Sequence, residues 1–275
     1  MSLEYMETGT FVAQPSRVQV PGTLRVVSWN IDRGCCFDQI VAFLAQHNAD
    51  LILLQECDLN AKRSGYRNVA RDLAQALKMS YAFGVEFVEL SQGDSALHGQ
   101  ATLSRTQISN TRVLRFQQQS RFWKPRWYLP NLPPLQRRLG GRIALVSETR
   151  VEQTVLAVYN LHLESRRGDD LRFRQMCEVL HGTQEHGSEI PVVLAGDFNC
   201  DVTQPTFSQA IHITQFTNPF EGAAPQPTIR HGKSRGSRAI DWVLHRGMIF
   251  SESPVVHASA SGSDHFPLSL TLKLF

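Results

Sequence analysis

The chain has no apolar run near the roughly 18 residues that a membrane-spanning helix requires, which excludes a helical membrane protein. No basic segment followed by an apolar stretch stands near its start, so no signal peptide and a cytoplasmic location are expected. Five cysteines, at 35, 36, 57, 177 and 200, form no C-x-x-C pair and no zinc-like spacing, and reduced thiols are the expectation. No fixed-period repeat and no Gly/Ser linker occurs. Acidic residues are missing between Asp94 and Glu148, while that window holds nine basic ones. The remaining 19 basic residues face 25 acidic ones, so the cations concentrate where something anionic is to be met. With 275 residues, 42% of them hydrophobic and 19% charged, the chain can bury a sizeable core, and disorder is excluded.

Strand and helix patterns alternate. LRVVSW (24–29) and LILLQE (51–56) read as buried strands. Between them Phe37, Ile40, Val41 and Leu44 recur at helical spacing, and 67–78 and 168–187 repeat that period. Segments 81–90, 100–105, 142–151 and 154–163 read as strands, with a hairpin at Glu152–Gln153. IPVVLAGDFN, AIDWVL and PLSLTLKLF add three more. Helices mixed with hairpins predict an α/β fold with mixed sheets. One domain over 23–275 is expected, behind an N-terminal tail of residues 1–22, with long loops at 116–141 and 219–238.

Several apolar strands end in a residue able to bind metal or phosphate: Asn30 and Asp32, Glu56, His162, Asp197 and Asn199. Asp241 opens a strand, and Asp264 and His265 precede the last one. Taken singly, each also reads as a turn or capping residue. Together they form an oxygen-rich set without thiolates, which suits Mg²⁺ or Mn²⁺ rather than zinc. Phosphoester hydrolysis needs such a set: a cation to neutralise phosphate, a base for water and donors for the transition-state charge.

In their order, WNID (29–32), LQE (54–56), NLHLES (160–165), GDFN (196–199), IDWVL (240–244) and SDHFPL (263–268) resemble the endonuclease/exonuclease/phosphatase superfamily. That is the fold of deoxyribonuclease I, exonuclease III and neutral sphingomyelinases. The resemblance implies a four-layered α/β sandwich, two mixed β-sheets face to face with helices outside. It implies Glu56 as the main Mg²⁺ ligand beside Asn30, with Asp32 and Asp264 near the metal. Asp197 would orient or activate water, Asn199 would donate to a phosphoryl oxygen, and Asp241–His265 would form a dyad with His162 as second histidine. No candidate position is replaced, which argues against a non-catalytic binding protein. Asp201 and AIDWV depart from the inositol 5-phosphatase pattern, while WNID with HLESRRG resembles tyrosyl-DNA phosphodiesterases and IDWVL is closer to exonuclease III and sphingomyelinase patterns.

The substrate is sought in the basic window, where Arg121, Trp123, Lys124, Arg126 and Trp127 interleave cations with aromatics. That composition suits phosphate gripping and base stacking. It also suits a lipid surface, the lesser alternative, or a solvated loop with its aromatics tucked inward. Arg230, Lys233, Arg235 and Arg238, just before Asp241, are expected to hold flanking phosphates. Nucleic acid is the expected partner, membrane lipid the alternative, and no stable protein partner is implied.

Overall fold

Each of the nearly continuous apolar runs is buried on both faces, which requires sheets covered on both sides. The computed structural model describes residues 2–12, 22–92, 96–124, 135, 137–166, 168–222, 226–230 and 238–274. The strands are β1 (Met6–Thr10), β2 (Thr23–Arg33), β3 (Leu51–Leu59), β4 (Ser80–Glu89), β5 (Leu97–Ser104), β6 (Ser109–Arg115) and β7 (Arg138–Gly140). They continue with β8 (Ile143–Val151), β9 (Thr154–His162), β10 (Val192–Asp197), β11 (Asp241–Arg246), β12 (Met248–Phe250), β13 (Val255–Val256) and β14 (Leu268–Leu274). One mixed sheet runs β1-β4-β5-β3-β2-β14-β12, with β13 on β14 and β7 on β4; the other runs β11-β10-β9-β8-β6.

Helices α1 (Phe37–His47) and α2 (Val69–Leu77) pack on the first sheet through Ile40, Leu44, Val69 and Leu73. On the second sheet, α3 (Asp169–Thr183) and α4 (Pro205–Ile213) pack through Met176, Val179, Phe207 and Ile211. Between the sheets lies a third core that includes Val26, Leu53, Val158, Ala195, Val243 and Leu270. This is the expected four-layered sandwich. Two buried amides cross it near the site: Gln55 Nε2 donates to Asn160 Oδ1 at 2.7 Å, and Asn160 Nδ2 donates to the carbonyls of Leu54 and Ala101. The hairpin at Glu152–Gln153 is present, with Glu152 at φ 56°.

The expected tail is corrected at its start. Met6–Thr10 is an edge strand on β4, held where Glu7 accepts hydrogen bonds from Tyr5, Tyr81 and Asn68. Residues 13–21 lie outside the described residues. Among the described residues, no helix is long and apolar enough to cross a membrane.

Candidate active site

Strand register assembles the site. In the smaller sheet His162 of β9 lies beside Asp197 of β10, and Asp197 beside Asp241 of β11, one row across three strands. Gly196 allows the close pairing: at φ 146° a side chain's Cβ there would lie 1.9 Å from the Leu161 carbonyl oxygen. In the larger sheet β3 bulges away from β5 between Leu54 and Cys57, and Glu56 takes φ 57°. β2 is irregular after Asn30, with Asp32 and Arg33 also at positive φ. Bulges of this kind re-aim side chains at the end of a strand.

Asn30 joins the two halves. Its Nδ2 lies 3.4 Å from Glu56 Oε1 and 3.2 Å from Asp197 Oδ2. That same Asp197 oxygen is 3.4 Å from His162 Nε2 and 3.9 Å from His265 Nε2. Three polar nitrogens therefore converge on one carboxylate oxygen. Asn199 braces its other oxygen, donating from the backbone at 2.9 Å, while its Nδ2 donates one hydrogen to the Leu163 carbonyl.

His265 Nδ1 is 2.9 Å from Asp241 Oδ2, which also accepts a hydrogen bond from Thr228 Oγ1 at 2.6 Å. Burial opposes charge on His265, but the Asp241 carboxylate outweighs it and lifts the pKa to about 10. The loop that carries His265 is pinned: Ser263 Oγ donates to the Asn30 carbonyl and accepts from His265 N, and Trp29 Nε1 donates to the His265 carbonyl.

On the other side, burial opposes the charge of Glu56, yet His98, His162, Arg33 and Arg142 together hold its carboxyl well below the usual range. Asp32 is pushed upward by burial first; Arg33 pulls it down, and the charges of exposed Asp264 and of Glu56 add to the push. These carboxylates repel one another, with Arg33 paired to Asp32 and its Nη2 3.7 Å from Glu56 Oε2. An oxygen donor set under such mutual repulsion fits a hard divalent cation. Asp197, Asp241 and His265 also have ligand atoms within 4.8 Å of one another. There the Asp241–His265 pair is satisfied internally, which suits proton handling better than metal binding.

Two residues were not among the expected site residues, Arg142 having been read only as one of the nine cations of the basic window. Glu86 and Arg142, both buried, lock the back of His162: Arg142 Nη1 is 2.9 Å from His162 Nδ1, Glu86 Oε2 is 3.3 Å from it, and Arg142 pairs with Glu86 Oε1. The one available signal was an isolated carboxylate inside the apolar strand YAFGVEFV.

The basic window is corrected in part. Arg105 meets Asp50, Arg112 meets Glu185, Arg138 meets Glu89 and Arg142 meets Glu86, while Arg115 donates to four backbone carbonyls. These cations hold the fold. Trp123, expected to touch substrate, is 2% exposed, packed at a tilt against Phe87 and bonded through Nε1 to Glu164. An indole buried on those contacts cannot stack a base. Arg121 and Lys124 are exposed. Arg230 donates to the carbonyls of Ser263 and Ala260 and covers Phe266, so it braces the His265 loop, and Arg238 donates to the Asn199 carbonyl. Arg126, Trp127, Lys233 and Arg235 lie outside the described residues.

Residues 27–265 match the Endonuclease/Exonuclease/phosphatase family. The chain belongs to that family. No curated protein matches it in sequence. Solved structures similar to it share the fold of this family. One is an endonuclease/exonuclease/phosphatase of Beutenbergia cavernae, 20% identical with TM-score 0.66, covering 92% of this chain and 72% of the other. A second is the human Nocturnin catalytic domain with bound sulfate, 16% identical with TM-score 0.67, covering 98% of each chain. A third is ANGEL2, a 2′,3′-cyclic phosphatase in complex with adenosine-2′,3′-vanadate, 15% identical with TM-score 0.64, covering 98% and 99%.

Proposed function

We propose that the chain is a divalent-metal-dependent phosphodiester hydrolase acting on nucleic acid by attack of water on phosphorus. The observation that carries this reading is Asp197 Oδ2, ringed by Asn30, His162 and His265 beside the Glu56 carboxylate cluster. Glu56, Asn30, Asp32 and Asp264 would hold Mg²⁺ or Mn²⁺. The bound cation supplies charge neutralisation for the phosphate and for the leaving oxygen.

The remaining chemistry belongs to side chains of this protein. Asp197 Oδ2 orients the attacking water and accepts its proton. His265, kept protonated by Asp241, donates from Nε2 to a phosphoryl oxygen, and His162 does so from the opposite side. Asn199 keeps Asp197 aimed and offers its second amide hydrogen to the phosphate. Nucleic acid is favoured because exposed Arg121 and Lys124 add positive charge and because the fold neighbour ANGEL2 binds a nucleoside vanadate.

Hydrolysis of plain, abasic and 5′-blocked DNA, assayed with Mg²⁺ beside sphingomyelin vesicles, tests the substrate class. DNA cleavage that weakens steeply with salt supports the reading, with a binding slope of about −0.9 per duplex phosphate contacted. Hydrolysis of sphingomyelin with inert DNA overturns it in favour of a lipid phosphodiesterase.

A further inference from the structure

β5 runs between the two strands that bulge at the site. Its neighbour β3 shifts register between Leu54 and Cys57, where Glu56 lies, and β4 shifts between Val85 and Phe87, where Glu86 lies. His98 sits at that level, opposite Asp58 of β3 and Phe87 of β4. Its chain neighbour Leu97 and the cross-strand Cys57 belong to the helix-side core. Strand alternation therefore turns His98 and Asp58 to the other face.

The imidazole is 2% exposed and firmly held. Nδ1 is 2.7 Å from Asp58 Oδ1, and Arg63 clamps both oxygens of that carboxylate at 2.6 and 2.8 Å. The ring stacks on Phe87 at 4.4 Å. Among the described residues Nε2 has no hydrogen-bond partner. His98 lies close enough to Glu56 for a proton on its ring to favour the carboxylate. Asp58 holds His98 as Asp241 holds His265, with the difference that a guanidinium rather than the Thr228 hydroxyl keys the carboxylate and that Arg63 Nη2 also lies 3.3 Å from His98 Nδ1.

We propose that His98 is a third imidazole of the site and that its Nε2 binds a substrate phosphate adjacent to the one cleaved. With Nδ1 against Asp58, Nε2 is the ring nitrogen left to meet that phosphate. The inference rests on the phosphodiesterase reading and adds a phosphate subsite on the Glu56 side.

The test compares KM for a dinucleotide bearing no terminal phosphate, a 5′-phosphate or a 3′-phosphate. The wild-type protein is expected to favour one phosphorylated form by about tenfold or more, the scale of a charge-assisted hydrogen bond. In His98→Gln that ratio should collapse to about one. A ratio preserved in the variant, or absent from the wild type, overturns the subsite. If no dinucleotide is hydrolysed, the phosphodiesterase reading fails by itself. The subsite is then judged without turnover, by titrating protein labelled with ¹⁵N-histidine with inorganic phosphate and with pyrophosphate in EDTA. The Nε2 resonance assigned to His98 through its loss in His98→Gln should shift with anion, and an unmoved resonance overturns the subsite.

Discussion

Replacing Glu86 by Gln keeps the size of a wholly buried side chain and removes the charge that faces Arg142 and His162. Burial opposes that charge, yet Arg142 and His162 outweigh it and hold the pKa at about 2 against an ordinary 4.5. At about 1.4 kcal/mol per pKa unit, the difference amounts to about 3 kcal/mol of stability at neutral pH. A lowered carboxylate pKa stabilises above the unfolded value of 4.5, and the contribution is lost as pH falls through the folded value near 2. The variant leaves Arg142 buried without its counter-ion, a change that costs about 3–5 kcal/mol in comparable pairs. Urea unfolding at pH 7 should show Glu86→Gln less stable by about 3 kcal/mol, with the gap narrowing to about 2 kcal/mol near pH 3.5. A gap below about 1 kcal/mol at pH 7, or one that ignores pH, refutes the ion cluster as a determinant of the fold.

Other perturbations reach the site directly. Since His265 holds its proton up to about pH 10, the activity that needs it should persist into the alkaline range and fall above that pH. In Asp241→Asn the alkaline limb of the rate profile should drop by on the order of 3 pH units toward an ordinary histidine, and an unmoved limb would falsify the dyad. Gly196→Ala forces a Cβ against the Leu161 carbonyl and should destabilise by about 2 kcal/mol or more, read from thermal or urea unfolding. Glu56→Gln should lower Mg²⁺ affinity in isothermal titration by tenfold or more, as the loss of a charged ligand requires; equal affinity places the cation elsewhere.

What could be read in advance divides by physics. Asn30, Glu56, His162 and Asp197 were visible because each interrupts an apolar run where a strand ends, and a polar group there needs a partner. Their approach to one another follows from register, which single-strand patterns do not report: Asp197 meets both His162 and Asp241 only once β9, β10 and β11 are paired. Glu86 stayed hidden because it sits inside a strand and reaches the site through a bulge. Arg142 and Trp123 were misread for one shared reason. Composition cannot separate a cation-and-aromatic surface from a cation stacked on a buried ring, and Arg142 lies over Trp123 at 5.0 Å. α4 escaped notice behind its first-turn Pro205, and β6 because its burial is only partial.

The central claim is that Asp197 and His265 act on a metal-bound phosphodiester. Its most direct measurement is the initial rate of cleavage of a single-stranded oligonucleotide with Mg²⁺ and with EDTA, for wild type, Asp197→Asn and His265→Ala, each shown by circular dichroism to be folded. Cleavage that requires Mg²⁺ and falls by about a hundredfold or more in both folded variants is the predicted result, the usual scale for losing a positioned acid or base. Undiminished cleavage in EDTA, or a folded variant as fast as the wild type, would contradict the account.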